Sequence, residues 1–134
     1  MQLSAERIEW RDEFKVGDPE TDSDHRQLLI MLNELSAGVS QGLGHQMCRW
    51  VLDFLLAHSD GHFRREEDAM LAARCDSYEK HKAAHACFLQ AVTDLRSRAE
   101  RTDVSREAAE FLHGWATNHT LREDMALAQI GCRR

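Results

Sequence analysis

Apolar side chains recur at steps of three and four residues through four segments of the chain, with polar side chains between them. This period is typical of an amphipathic α-helix that buries one face. Sustained alternation at every second residue, which would indicate strands, is absent from the sequence. The pattern predicts helices over about 21–41, 45–71, 78–101 and from 105 onward, joined by short connections. We therefore expect an all-α fold, an up-down-up-down antiparallel four-helix bundle.

The first 20 residues do not follow the helical period. Trp10 and Phe14 lie among charged residues, and Gly17 and Pro19 follow shortly afterwards. We expect residues 1–20 to form an extended N-terminal arm whose aromatic side chains lie against the bundle. At 134 residues the chain has the length of one domain, so residues 1–134 are expected to form a single domain with the bundle over 21–134. The first helix is preceded by three good N-cap candidates: Thr21, Asp22 and Ser23.

Ionisable side chains continue the apolar faces of the predicted helices at one end of the bundle. His62 and Glu66 extend the face of the second helix, and His81 and His85 begin that of the third. Each pair is four residues apart, so both side chains project from one helix face. In an antiparallel bundle, the N-termini of the first and third helices lie at the same end as the C-termini of the second and fourth helices. Seven side chains are thus expected to meet there: His25, His62, Glu66, His81, His85, His119 and Asp124.

One spacing in this set departs from helical geometry. His119 and Asp124 are five residues apart, which is about 140° around an ideal helix. An inward-facing Asp124 therefore predicts a loosened helical turn in this region.

The composition of the seven side chains indicates bound metal. Burying so many polar groups would be costly unless cations satisfied them. Five imidazoles exceed the four ligands that one zinc ion usually takes, whereas two cations bridged by Glu66 and Asp124 would use every ligand. Imidazole and carboxylate suit iron, manganese, zinc or copper, so the ligands alone leave the metal open. The small number of carboxylates favours the divalent state, and hence reversible oxygen binding over oxygen cleavage.

The chain resembles the hemerythrin family, specifically its single-domain bacterial members. The resemblance rests on short motifs that occur in order over nearly the whole chain, each weak alone and specific together. They are Trp10-x-x-x-Phe14, Asp22-x-x-His25, His62-Phe63-x-x-Glu66, Tyr78-x-x-His81-x-x-x-His85-x-x-Phe88 and Trp115-x-x-x-His119-x-x-x-x-Asp124.

The resemblance implies a non-heme centre of two iron ions that binds dioxygen reversibly, for carriage, storage or sensing. Dioxygen would bind at the iron that has two histidine ligands and an open position. The five-residue step from His119 to Asp124 is the family's own pattern. The implied ligands are His81, His85 and His119 on one iron, His25 and His62 on the other, and Glu66, Asp124 and an oxo or hydroxo group bridging both.

Other side chains are expected to surround the ligands. Asp22 either caps the first helix or orients His25, and three aromatic residues either fill the core or keep the metals dry. Two positions are smaller than the bulky aliphatic residues common in the family, which predicts a wider oxygen pocket that admits water or small anions and faster autoxidation. The aromatic residues are Phe63, Phe88 and Trp115, and the small positions are Ala116 and Thr120.

Charge and composition exclude several other classes of function. A net charge of −6 gives no reason to expect nucleic acid or an anionic membrane as a partner. No apolar run is long enough to cross a bilayer, and the N-terminus lacks the apolar core of a signal peptide, so we expect a cytoplasmic protein. Four scattered cysteines without a Cys-x-x-Cys pair predict reduced thiols: Cys48, Cys75, Cys87 and Cys132.

Two functions besides oxygen carriage remain open from the sequence. The first is a di-iron oxidase or peroxidase, which would need an electron source and access for a substrate. The second is an oxygen-responsive regulatory module that acts through a partner protein. The sequence does not indicate which protein such a partner would be.

Overall fold

The computed structural model describes residues 7–15 and 17–119. Their elements are a 3₁₀ turn and four α-helices, and the described residues contain no strand, which confirms the all-α prediction. The elements are the turn at Asp12–Phe14, α1 at Pro19–Ser40, α2 at Gly44–Ala72, α3 at Tyr78–Arg98 and α4 at Ser105–Trp115.

The helices run antiparallel in chain order. Near one end, Nε2 of His25 in the first half of α1 lies 3.4 Å from Oε2 of Glu66 in the second half of α2. Near the other end, Arg49 early in α2 donates a hydrogen bond of 3.2 Å to Glu100, just after α3. The connection at 99–104 is too short for anything but a reversal before α4. This order places the first half of α1 beside the second half of α2, as the bundle requires.

The core runs along the bundle axis and draws on every helix. Leu35, Val51, Val92 and Leu112, one from each helix, have no exposed surface. Helix α2 packs against the other three helices and is the longest of them. None of the described helices is long and apolar enough to span a membrane.

The N-terminal arm packs on α1, and the helix begins earlier than expected. The side chain of Asn33 accepts a hydrogen bond of 3.0 Å from the amide of Ile8 and donates one of 2.8 Å to its carbonyl. The expected N-caps at 21–23 are wrong, because Asp18 caps α1 and Pro19 occupies its first turn. Proline is well suited to that position, since its missing N–H is not needed there. A short 3₁₀ turn also interrupts the arm that was expected to be extended.

The cap makes the stability of α1 depend on pH. The amide and hydroxyl of Thr21 donate to Asp18 at 3.1 and 2.5 Å, and these bonds lower the pKa of Asp18. A carboxylate with a lowered pKa stabilises the fold above its unfolded pKa, about 3.9, and loses that contribution as pH falls through its folded pKa. We expect Asp18→Ala to lower the free energy of unfolding by about 1 kcal/mol at pH 7, and by progressively less below about pH 4.

Urea unfolding between pH 7 and pH 3.5 measures this dependence. Glu34→Ala is the matched control, because Glu34 is an exposed acid in the interior of the same helix. A penalty for Asp18→Ala that stays constant over this range would contradict the assignment of the cap.

Two glycines of α2 stand in opposite environments. A Cβ added at Gly44 would lie 2.5 Å from Oγ and 2.9 Å from Cβ of Ser105, at the start of α4, whereas one at Gly61 would meet nothing within 4 Å. We expect Gly44→Ala to lower the free energy of unfolding by about 1–3 kcal/mol through overpacking. Gly61→Ala should raise it by about 1 kcal/mol through helix propensity. Thermal and urea unfolding of both variants check the pair, and equal effects would contradict close packing at Gly44.

The cysteines differ from the expectation in one case. Cys48 is a buried free thiol and Cys87 an exposed one. Burial raises the pKa of Cys48 to about 11, so this thiol is unreactive at neutral pH. Cys75 is disulfide-bonded, so the prediction of reduced thiols is wrong there. Sequence spacing could not show this, because a disulfide depends on which cysteines the fold brings together.

Candidate metal centre

Six of the seven predicted ligands lie within the described residues, and they gather at one end of the bundle. Three helices and the turn after α4 supply them. Residues 116–119 form a π-helical turn. The loosened turn expected between His119 and Asp124 lies beyond it, outside the described residues, and stays a prediction. Asp124 and Thr120 lie outside the described residues. The residues brought together are His25 from α1, His62 and Glu66 from α2, His81 and His85 from α3, and His119.

The donor atoms form two groups that share one residue. One ligand atom from each of Glu66, His81, His85 and His119 lies within 4.8 Å of those of the other three. His25, His62 and Glu66 form a second group by the same measure. One group thus offers three imidazoles, the other offers two, and Glu66 belongs to both.

The two oxygens of Glu66 face different groups. Oε2 lies 3.1 Å from Nε2 of His62 and 3.4 Å from that of His25, whereas Oε1 lies 3.1 Å from Nε2 of His85 and 3.8 Å from that of His81. Burial by itself raises the pKa of Glu66, but the four histidine rings that face its oxygens outweigh burial and hold the pKa well below its usual range. Glu66 is therefore a carboxylate whose two oxygens face the two groups of histidines.

Two further carboxylates lie behind the histidines. Oδ2 of Asp24 is 2.9 Å from Nδ1 of His62, and Oε2 of Glu67 is 2.8 Å from Nδ1 of His85. Such a partner sets the tautomer and ring orientation and leaves Nε2 directed at the centre. Burial lowers the pKa of His62, but hydrogen bonds to Glu66 and Asp24 outweigh this effect and raise it above its ordinary value.

Sequence reasoning missed one of these two carboxylates. Glu67 directly follows a predicted bridging ligand, whereas nothing in the sequence marks Asp24. The available signal was an acidic residue directly beside a ligand, which is too common on helix surfaces to be specific. Asp22 is half-buried in the first turns of α1, and its expected role in orienting His25 stays a prediction.

Aromatic rings enclose the group of three imidazoles. Phe63 stacks on His85 with ring centroids 3.9 Å apart, and Trp115 stacks on His119 at 4.0 Å. Phe88 packs against Trp115 at 4.5 Å. These rings limit the access of water to the histidines, as a dry wall around metal requires.

A cavity of about 100 Å³ opens beside the group of two imidazoles. Its wall is formed mainly by α1 and α2, and it includes His58, which lies one turn before His62. Ala116 is fully buried in the core and does not line this cavity, so the wider oxygen pocket expected there stays a prediction. Along with His25, His62, Phe63, Phe88, Trp115 and His119, the wall contains Asp24, Gln27, Leu28, Met31, Phe54, Leu55, His58 and Ser59.

The arrangement fits bound metal. Nε2 of His85 and Oε1 of Glu66 are buried and only 3.1 Å apart, yet neither has a hydrogen-bond partner among the described residues. Leaving two such atoms unsatisfied would be costly, and a shared cation would satisfy both. Imidazole nitrogen with carboxylate oxygen is a donor set that suits iron.

A helical bundle that gathers imidazoles and a shared carboxylate at one end belongs to the class of bundle proteins that hold two metal ions in their core. The family described as the hemerythrin HHE cation binding domain matches residues 17–130. The chain therefore belongs to the hemerythrin family.

Named relatives from distant organisms match most of the chain. It is 29% identical to a bacteriohemerythrin of Stenotrophomonas maltophilia, over 89% of this chain and 78% of the relative. It is 28% identical to a hemerythrin-like protein of Naegleria gruberi, over 87% of each. A bacteriohemerythrin of Clostridium acetobutylicum is 23% identical, over 86% of this chain and 94% of the relative.

Proposed function

We propose that this protein binds dioxygen reversibly at a centre of two iron ions. The observation that carries the proposal is that the two oxygens of Glu66 face different groups of histidines. Oε1 faces the group that contains His81 and His85, and Oε2 faces His25 and His62. A carboxylate with imidazoles at both oxygens is the arrangement that two adjacent cations need. Asp124 is proposed as a second bridging residue.

The two groups contain different numbers of histidines, so we propose different roles for the two irons. His81, His85 and His119 would complete one iron together with the bridging groups, while the iron held by His25 and His62 would keep a position for dioxygen. When bound, two ferrous ions supply the electrons that a reversible reaction with dioxygen requires. The cavity lies on the side of the two-histidine group, so dioxygen has a route to the less crowded ion.

The protein's own residues favour binding over oxygen cleavage. Five imidazoles and only two bridging carboxylates, Glu66 and the proposed Asp124, would leave the centre with little anionic charge to stabilise high oxidation states. The stacked rings of Phe63 and Trp115 keep water from the three-histidine group. A dry surrounding also slows the proton supply that oxygen reduction needs.

Anaerobic reduction followed by air, with an iron count, tests the proposal. We expect about two irons per chain and a visible absorption band that appears with dioxygen and fades when dioxygen is removed. Irreversible bleaching on exposure to air, or sustained turnover of an added reductant, would reject reversible binding and support an oxidase or peroxidase. A comparison of the binding partners of the reduced and the oxygenated protein would then distinguish carriage, storage and sensing of dioxygen.

A further inference from the structure

Asp24 contacts both a surface arginine, Arg65, and a histidine of the candidate metal centre, His62. The side chain of Asp24 lies between α1 and α2 and is 38% exposed. Its Oδ2 oxygen is 2.9 Å from Nδ1 of His62, and the same oxygen accepts a hydrogen bond from Nη2 of Arg65. Nε of Arg65 also lies 3.6 Å from Oε1 of Glu20, one turn earlier on α1. Arg65 thus contacts two carboxylates of α1, and one of them contacts a proposed iron ligand.

Among the residues that the structure describes, no cation pairs with the carboxylate of the other histidine–carboxylate pair, Glu67 and His85. The side chain of Glu67 is only 17% exposed, and its ion-pair partner among the described residues is His85. A more exposed carboxylate has water and other rotamers competing for it, which weakens its hold on an imidazole. Arg65 supplies at Asp24 the restraint that burial supplies at Glu67.

We propose that Arg65 is a positioning residue that keeps Asp24 hydrogen-bonded to His62 and thereby slows iron loss from the two-histidine half of the centre. This inference rests on one part of the proposed function, namely that ferrous iron binds in the two-histidine half of the centre. A fixed Asp24 holds the His62 ring so that Nε2 stays directed at the centre, where it lies 3.1 Å from Oε2 of Glu66. A freely rotating Asp24 would leave the ring to reorient.

Removal of ferrous iron by a chelator under anaerobic conditions tests the role of Arg65. We expect two kinetic phases of iron release in the wild-type chain, the faster one from the two-histidine half. Arg65→Gln should accelerate this phase about 3- to 10-fold. That is less than the 10- to 100-fold effect typical of losing a hydrogen-bond partner that contacts the ligand directly. Arg65→Lys should restore most of the retention. Arg64→Gln is the matched control, since Arg64 is the neighbouring residue and pairs with Asp60 on the exposed face at 3.0 Å. It should leave both phases unchanged.

A double-mutant cycle separates this role from simple clamping of the helices. If Arg65 acts through Asp24, Arg65→Gln should have almost no further effect in an Asp24→Asn background. Glu20→Gln should change neither phase. Additive effects of the Arg65 and Asp24 substitutions would overturn the inference, as would an Arg65→Gln variant that releases iron like Arg64→Gln.

The outcomes for the two proposals can be told apart. A wild-type chain that retains two irons but does not bind dioxygen reversibly would reject the proposed function, while the release kinetics would still decide the role of Arg65. A wild-type chain that retains no iron would overturn both.

Discussion

Glu66→Gln is expected to reduce the iron content from about two per chain to less than one. The substitution keeps the size of the side chain but removes its charge and replaces one bridging oxygen by an NH₂ group, which cannot bind metal. Both halves of the centre contact this residue, so both should lose affinity. Because losing an outer hydrogen-bond partner alone costs about 10- to 100-fold, we expect a loss of more than about 100-fold in ferrous affinity.

Iron analysis and anaerobic metal titration measure this loss. Glu110→Gln serves as the control, because Glu110 is an exposed acid on α4. Circular dichroism of the metal-free proteins should show that both variants keep their helices. A Glu66→Gln variant that retains two irons would contradict the bridging role.

Glu67→Ala is expected to weaken metal binding in the three-histidine half by about 10- to 100-fold. The substitution removes the carboxylate 2.8 Å from Nδ1 of His85, so the ring loses both its orientation and the electron donation that strengthens Nε2 as a ligand. Glu67→Gln should fall between the wild type and the alanine variant, because an amide oxygen still accepts a hydrogen bond but carries no charge.

Chelator competition measures this effect, with Asp68→Asn as the control. Asp68 is the next residue on α2 and is exposed, so its loss should leave the affinity unchanged. Equal behaviour of the Glu67 and Asp68 variants would show that the contact with His85 does not support metal binding.

Periodicity was enough to predict the helices and the depth at which their ionisable residues meet. His62 and Glu66 continue the apolar face of α2, and His81 and His85 begin that of α3, so an antiparallel arrangement brings these residues to one level. The predicted ranges for these two helices begin within a residue of the structure, and the second ends three residues later than α3 does. A regular repeat reports helix direction and face well, because both are local properties of the backbone.

Helix ends and supporting contacts were less predictable. Three residues near the start of α1 are good N-caps, but Asp18 caps the helix instead, with Pro19 in the first turn. Asp24 has no sequence feature that separates it from other surface acids. Its role depends on the packing of α1 against α2, which brings it to His62 from 38 residues away.

The sequence by itself determined the helical class, the antiparallel order and the type of ligands, because these follow from local spacing and chain connectivity. Only the tertiary structure decided which oxygen of Glu66 faces which histidines, which acids support the rings, where the cavity opens and that Cys75 is disulfide-bonded. These features depend on distances of a few ångströms between residues far apart in the chain. Such distances are set by how side chains pack between helices, which no local pattern records.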